Sequence, residues 1–519
     1  VAGESRTITQ STVYNSIAVN SVTLFGALSS ILVARYLGPV KTGVVSYAVW
    51  LAGLLGLAAT LGLPGTITKY VSEYVGRGNT GAAGSVFRRL FVLESGTALA
   101  VLLLFLAEER VFGFFEASGL LPEVGTYFLT TACLMVLNAA ILGMRSLKTL
   151  ALQGIVVYPP ELAALWFALA RGAGVRAVLW VYVAGNLVAA GILLAALRKS
   201  LILPGPAAGL PPAASSAACP ASPANPDWRK IKLYFLAVSG ITIIDAVIWQ
   251  RSEVLFLKKF STDANVAFYH IAFGLSLTLV RTIGTALLGI LLPFFSSYYG
   301  AEDTEGVRRL FGSSTRWLSF FTLPFVAAGT ALGPEIILIL YGRDYLPVDS
   351  VLFIMLLASA VGAIAGGGAA LLYGVEKQNV ILKIGAATAV LNLLLDFLLI
   401  PRFHLAGAAV ANASAQILAG AIGLGYIIAV MKIRFPGGGV LKIALSSAVA
   451  FACMTLSKRL LPPYWGAVVA AAIGPLAFLG SVKLCAFYRP EDVRTLESVA
   501  ALLPRPLGKW AGQVVHRIT

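Results

Sequence analysis

The chain reads as a series of long apolar runs separated by short polar stretches. Fourteen runs meet or approach the roughly 20 residues a helix needs to cross the hydrocarbon core of a bilayer. They cover residues 12–34, 44–68, 90–107, 124–144, 153–170, 177–197, 233–252, 266–292, 312–333, 350–373, 380–400, 406–430, 440–457 and 465–487. The runs are continuous and do not alternate between apolar and polar positions. They therefore predict spanning helices and not the strands of a barrel. The expected fold class is an all-α polytopic membrane protein of about fourteen spans, with twelve as the lower count because the third, fifth and thirteenth runs are short.

Composition narrows the class. Charged residues make up 12% of the 519 and hydrophobic residues 58%. The charged fraction is about half the roughly 25% of soluble domains. Too little polar surface remains to cover a soluble protein, which excludes a soluble enzyme, a disordered chain and a secreted disulfide scaffold. Cys133, Cys219, Cys453 and Cys485 are scattered without disulfide or metal-ligand spacing. The first apolar run lacks an evident cleavage site and reads as a retained span.

The net charge of +16 sharpens the picture through its placement. With both termini assigned to the cytoplasm, basic residues on that side outnumber those outside by roughly two to one. The excess therefore reads as orientation in the cytoplasmic membrane, with no nucleic-acid partner expected. A Pro- and Ala-rich stretch at 199–229 has no apolar periodicity and reads as a mobile cytoplasmic linker. It divides the chain into an N-terminal lobe of six spans (1–198), a C-terminal lobe of six (230–432), two added spans (433–487) and a cytoplasmic tail (488–519).

The two lobes carry related sequence. ARYLGPVKTGVVSYAV and LKKFSTDANVAFYHIAF each close one helix with a basic residue, cross a short polar loop and open a long helix. Each is followed by Leu-Pro and an aromatic-rich exit. Arg35 and Lys259 are 224 residues apart, as are Gly76 and Gly300. Repeats of this kind predict two pseudo-symmetric six-helix lobes, related by an axis along the membrane normal, around a central cleft.

The segment ILVARYLGPVKTGVVSYAV, with LGLPGTITKYVSEYVGRG after it, resembles the opening of prokaryotic polysaccharide-biosynthesis flippases. These carry lipid-linked oligosaccharides across the cytoplasmic membrane. They form a branch of the multidrug/oligosaccharidyl-lipid/polysaccharide exporter superfamily. The resemblance covers about residues 8–487. It implies a V-shaped alternating-access fold and a lipid-pyrophosphate-linked sugar as substrate, with membrane lipids and glycan-assembly proteins as partners. Function as a monomer is expected, because one chain supplies both lobes.

Charges inside spans face a cavity, a partner helix or water. Arg281, well inside the eighth run, is the leading candidate for a substrate pyrophosphate contact; the alternative is a structural pair with Asp245. Asp245, Arg251 and Glu253 mark the seventh run as a candidate for gating or ion coupling. Asp396 is a weaker ion candidate that could instead pair with Arg402. The resemblance adds Arg35 as a gate or pyrophosphate contact, against the simpler reading of an interfacial anchor. Lys69 and Glu73, one helical turn apart, could form a cytoplasmic gate or a local pair. Asn15, Asn138, Asn186, Asn392 and Gln416 could bind sugar hydroxyls or join helices. Pro64 and Pro293 hold comparable repeat positions and could bend their helices. Gly366, Gly367 and Gly368 suit close helix contact.

No nucleophile–base pair, dispersed-metal cluster or ATP-binding motif is present in the sequence. A transporter is expected and no cofactor, with Na+ or H+ coupling open. The alternatives are a cation-coupled multidrug exporter, a peptidoglycan lipid flippase and, less favoured, a membrane glycan-processing enzyme.

Overall fold

The computed structural model describes the backbone of residues 2–144, 146–198, 226–249 and 251–488. Within these, side chains at 2–20, 118, 241, 244–249, 281–290 and 463–464 are left aside. The predicted linker, apart from its last residues, and the predicted tail beyond 488 lie outside the described residues, as does Cys219.

Among the described residues the chain is all-α, with two compact units, Val1–Ala267 and Phe268–Thr519. The first contains α1 (Ala2–Thr60), α2 (Leu63–Gly76), α3 (Thr80–Val111), α4 (Leu121–Gly143), α5 (Leu147–Ala170), α6 (Val175–Leu197), α7 (Trp228–Trp249) and α8 (Glu253–Phe260). Helix α9 (Asp263–Ser276) runs across the boundary. The second unit continues through a π-helical turn, Leu277–Arg281, into α10 (Thr282–Gly300). It then has α11 (Thr304–Ala331), α12 (Gly333–Leu340), α13 (Asp349–Gly374), α14 (Gln378–Ala429), α15 (Gly437–Leu460) and α16 (Pro463–Leu484).

Ten of the described helices are long and apolar enough to cross a membrane, or eleven if α11 and α12, bent by 72°, form one span. The protein is a multi-pass membrane protein. Of the four runs by which the count falls short of fourteen, two are α7 and the bent pair α11–α12, and two are mergers. Run 12–34 and most of run 44–68 fall on the single helix α1, kinked at Gly38 (φ 73°, ψ 173°), and runs 380–400 and 406–430 fall on α14, kinked at His404. Gly38 can take a positive φ without a Cβ penalty, and Pro39 after it has no amide to donate.

Pro64 does not bend a helix interior. The break lies just before it, at Leu61 (φ 41°) and Gly62, and Pro64 occupies the first turn of α2, where its missing N–H costs nothing. Pro293 does lie inside α10. The Gly62 amide donates to Ser239 Oγ of α7 at 3.3 Å. A Cβ at Gly62 would come within 2.6 Å of the Ser239 backbone nitrogen, so this close approach requires glycine.

Unit 1 packs around Ile67, Tyr70, Phe87, Leu137, Ile141 and Leu193, with Ile231 of α7 joining them. A second cluster, Val33, Val45, Leu165, Leu169 and Val178, joins α1, α5 and α6. In unit 2, Phe295, Phe311, Leu318, Leu371 and Ile427 form the centre. Gly367 and Gly368 let α13 approach its neighbours, since Cβ atoms there would meet Leu318 at 3.0 Å and Ile427 at 2.9 Å. Small residues at crossings are how helices approach closely in lipid.

Helices α15 and α16 are tied to the rest of unit 2 at both ends. Arg316 of α11 is 3% exposed, donates to the Phe487 carbonyl at 2.9 Å and lies 4.7 Å from the Phe487 ring. Lys442 donates to the Ala486 carbonyl at 3.0 Å. Lys458, near the other end of α15, meets Glu335 of α12 at 2.6 Å and the Ala331 carbonyl at 2.6 Å. Arg316→Met keeps the stem and removes the donors, leaving a buried carbonyl unsatisfied at a cost of about 1–3 kcal/mol. Hydrogen exchange should accelerate over 478–488 by roughly tenfold or more, with α2–α4 unchanged; equal protection in variant and wild type would refute the clamp.

Candidate functional site

Arg281 ends the π-helical turn Leu277–Arg281, which packs against α11 and α13. Such turns are rare inside helices and recur at functional sites. The side chains of Arg281, Asp245 and Asn15 fall outside the description, so only their backbone positions on the π turn, α7 and α1 are known.

Unit 2 also holds a run of buried amides and a carboxylate on the two legs of α14. Asp396 is 0% exposed and accepts from Asn392 Nδ2 at 3.4 Å. Arg402, exposed one helical turn and a half further on, is not its partner. On the second leg, Gln416 Nε2 donates to Asn412 Oδ1 at 2.5 Å. Asp396 and Asn412 each lie eight residues from His404, about 12 Å along the helix. The legs touch beside the kink, where Gly407 faces the Leu399 carbonyl.

In unit 1 the polar groups collect at two ends. At the end predicted to be cytoplasmic, Lys69 and Glu73 do not pair. Glu73 binds Arg77 at 2.6 Å, and Lys69 places its ammonium 3.8 Å from the Tyr234 ring and 4.9 Å from the Tyr70 ring. Both cations are one turn from Glu73, but a carboxylate N-terminal to its cation is the better order on a helix. Arg89 lies 4.6 Å from the Trp228 ring, and the Asp227 amide donates to Tyr74 Oη at 3.3 Å. The start of α7 is thereby fastened to α2 and α3.

At the opposite end, Arg35 is exposed near the close of the first leg of α1. Arg251, with φ 55°, connects α7 to α8, and Glu253 is 0% exposed in the first turn of α8. Lys258 binds Asp263 at 2.8 Å, and Lys259 reaches Glu116 at 3.4 Å. The α3–α4 loop is held by side chains: Glu108 accepts from the Phe114 amide at 2.7 Å, Glu109 from the Ala117 amide at 3.0 Å, and Tyr47 donates to the Phe115 carbonyl at 2.7 Å. The second leg of α1 runs so close that Gly43 abuts the Asp263 carbonyl.

Several charges were not among the candidates read from sequence, among them the buried Glu94 and Arg316 and the half-buried Glu161. Glu94 (2% exposed) on α3, Glu161 on α5 and Arg316 on α11 all sit within or beside apolar runs. Glu161 lies against Gly185 of α6, within electrostatic reach of Tyr127, Tyr158 and Tyr182. Asn186 on the same helix donates to Thr130 at 3.2 Å and Thr131 at 3.1 Å. The signal that could have found the two carboxylates is their type alone, an ionisable residue in a span. Among the described residues no group of three or more His, Cys, Asp or Glu could hold a metal ion.

Residues 227–350 match the family model described as "Polysaccharide biosynthesis protein". No curated protein matches the chain. Among solved structures, the lipid II flippase MurJ in an inward closed conformation aligns with a TM-score of 0.68 at 15% identity, covering 91% of this chain and 98% of its own. A multidrug resistance MATE family transporter of the MOP superfamily, inward-facing, aligns with a TM-score of 0.62 at 13% identity, covering 82% and 98%. A MOP superfamily transporter from Pyrococcus furiosus gives 0.55 at 12% identity, covering 82% and 95%. The chain thus shares its fold with the lipid II flippase and with MATE family transporters of the MOP superfamily.

Gly43→Ala should lower thermal stability in detergent by about 1–3 kcal/mol, because the added methyl overlaps a backbone carbonyl. Gly53→Ala, on the same helix with nothing within 4 Å of its Cβ position, should be neutral or stabilising. Equal melting temperatures for the two variants would contradict the close approach.

Proposed function

We propose that the protein is a flippase that moves a lipid-(pyro)phosphate-linked oligosaccharide from the cytoplasmic to the external leaflet by alternating access. It is a transporter and not an enzyme. The observation that carries this reading is the match of residues 227–350 to a polysaccharide-biosynthesis family, a segment that includes both Asp245 and Arg281. The superfamily fold supports it independently.

In this reading the chain makes fourteen spans, with both termini cytoplasmic. The kinked α1 and α14 supply two spans each, the bent pair α11–α12 one and α7 one. Lobes 1–198 and 230–432 rock about the cleft expected from the repeat. Arg281 binds the anionic pyrophosphate, for which a guanidinium fork is suited. Asn15 and Arg35 contact the headgroup along its path. Asp245 and Asp396 are the carboxylates through which Na+ or H+ would couple. Membrane potential is an alternative drive, worth about 2.3 kcal/mol per charge per 100 mV.

The fold likeness to a MATE family transporter favours a second reading, cation-coupled drug export. The likeness to the lipid II flippase keeps a peptidoglycan lipid within the substrate range to be tested. Proteoliposomes loaded with defined lipid-linked glycans, lipid II among them, separate these readings when flipping is measured with and without ion gradients. Glycan flipping is expected. Drug uptake with no flipping of any lipid-linked glycan would reverse the assignment. Arg281→Ala should slow flipping by about ten- to a hundredfold, the equivalent of a lost charge-assisted hydrogen bond. Unchanged flipping at normal expression would remove Arg281 from the site.

A further inference from the structure

A cavity of about 560 Å³ opens in unit 1 at the end closed by the α3–α4 loop. It matches neither the candidate charges of α14 nor the π turn at Arg281. Its volume is within the range of sites for small organic groups. Its floor is aliphatic: Val44 and Leu51 lie on one face of α1, Leu120 and Val124 come from the start of α4, and Val175 from the start of α6. Its rim carries Arg176, Lys258 and Glu116.

The rim charges decide what kind of guest fits. Arg176 spends one donor on the Gly119 carbonyl at 3.1 Å and lies 3.7 Å from Glu123; its side chain is 72% exposed, so the rest of its fork is available. Lys258 spends one of its three donors on Asp263 at 2.8 Å and lies 5.5 Å from the Tyr47 ring. Glu116 meets Lys259 through one oxygen at 3.4 Å and keeps the other. Each rim charge thus has an opposite neighbour, and the rim as a whole is near neutral. A pyrophosphate would find little net attraction, and a free sugar would leave the aliphatic floor facing hydroxyls. A guest with separated positive and negative groups and a hydrocarbon body suits both features.

The cavity also sits at a definite depth. Helices α4 and α6 both begin beside it, so it lies where spans emerge and phospholipid headgroups are found. We propose that it is a binding site for a zwitterionic phospholipid of the phosphatidylethanolamine class. The phosphate lies against Arg176 and Lys258, the ammonium against the second oxygen of Glu116, and the start of an acyl chain along Val44, Leu51 and Val124. The site is independent of the transported substrate.

Native mass spectrometry of the full chain, released from mixed phosphatidylethanolamine and phosphatidylglycerol, tests this. Wild type should retain phosphatidylethanolamine roughly three- to fivefold over phosphatidylglycerol, as expected for a half-exposed ion pair. Glu116→Gln should erase that preference. Lys259→Gln, which breaks the same ion pair but keeps the Glu116 carboxylate, should preserve it. Arg176→Gln should reduce retention of both lipids, and Val44→Trp should fill the cavity and do the same. The exposed positions of Glu116 and Arg176 keep these variants folded, checked by their melting temperatures. The proposal is overturned if wild type favours phosphatidylglycerol or neither lipid, or if Glu116→Gln keeps the wild-type preference. Displacement of the retained lipid by maltotriose would overturn it in favour of a glycan subsite.

Discussion

Hydrocarbon cannot hydrogen-bond, so each place where a helix stops or kinks must find partners for its freed backbone groups inside the protein. Much of the structure described here follows from that constraint. The break between α1 and α2 is closed by Ser239, whose hydroxyl takes the Gly62 amide. The α3–α4 loop carries amides bound by the carboxylates of Glu108 and Glu109. The end of α16 presents carbonyls to Arg316 and Lys442. Four ionisable side chains, which would be costly facing lipid, are thus placed where the backbone is irregular: Glu108, Glu109, Arg316 and Lys442.

The same constraint explains what was legible in sequence. Long apolar runs and the helical class follow from the solvent, and the described residues form long apolar helices. Close helix contact at Gly367 and Gly368 was readable too, because small residues have few other uses in a span. The register of breaks was harder. Pro64 drew attention as a bend, yet the break precedes it, since proline fits a first helical turn better than it creates a kink. The pairing of Lys69 with Glu73 was suggested by spacing alone, while Arg77 shares the spacing and has the better order along the helix.

The candidate site was legible by residue type and not by geometry. Asp396 was noted as a charge in a span, but its bond to Asn392, and the contact of the two legs beside Gly407, depend on the kink at His404 between two apolar runs. Glu94 and Glu161 carried the same signal as Arg281 and were passed over. Arg316 falls near the start of a run, where a basic residue reads as a flank of the span. Its burial depends on two helices more than a hundred residues downstream.

The Arg316 clamp has one more consequence. Arg316 and Lys442 hold the end of α16 by carbonyl oxygens, which every residue possesses. Recognition of that end is therefore indifferent to which side chains occupy 486 and 487, apart from the ring packing of Phe487. Mutational tolerance should differ between the partners: strict at the two cations and limited at position 486 only by its left-handed backbone (φ 47°), which glycine or asparagine suits and a β-branched residue does not. A helical pair attached in this way can drift in sequence at its terminus and keep its seat, so the junction would accept a fused reporter after 488 more readily than a replacement of Arg316.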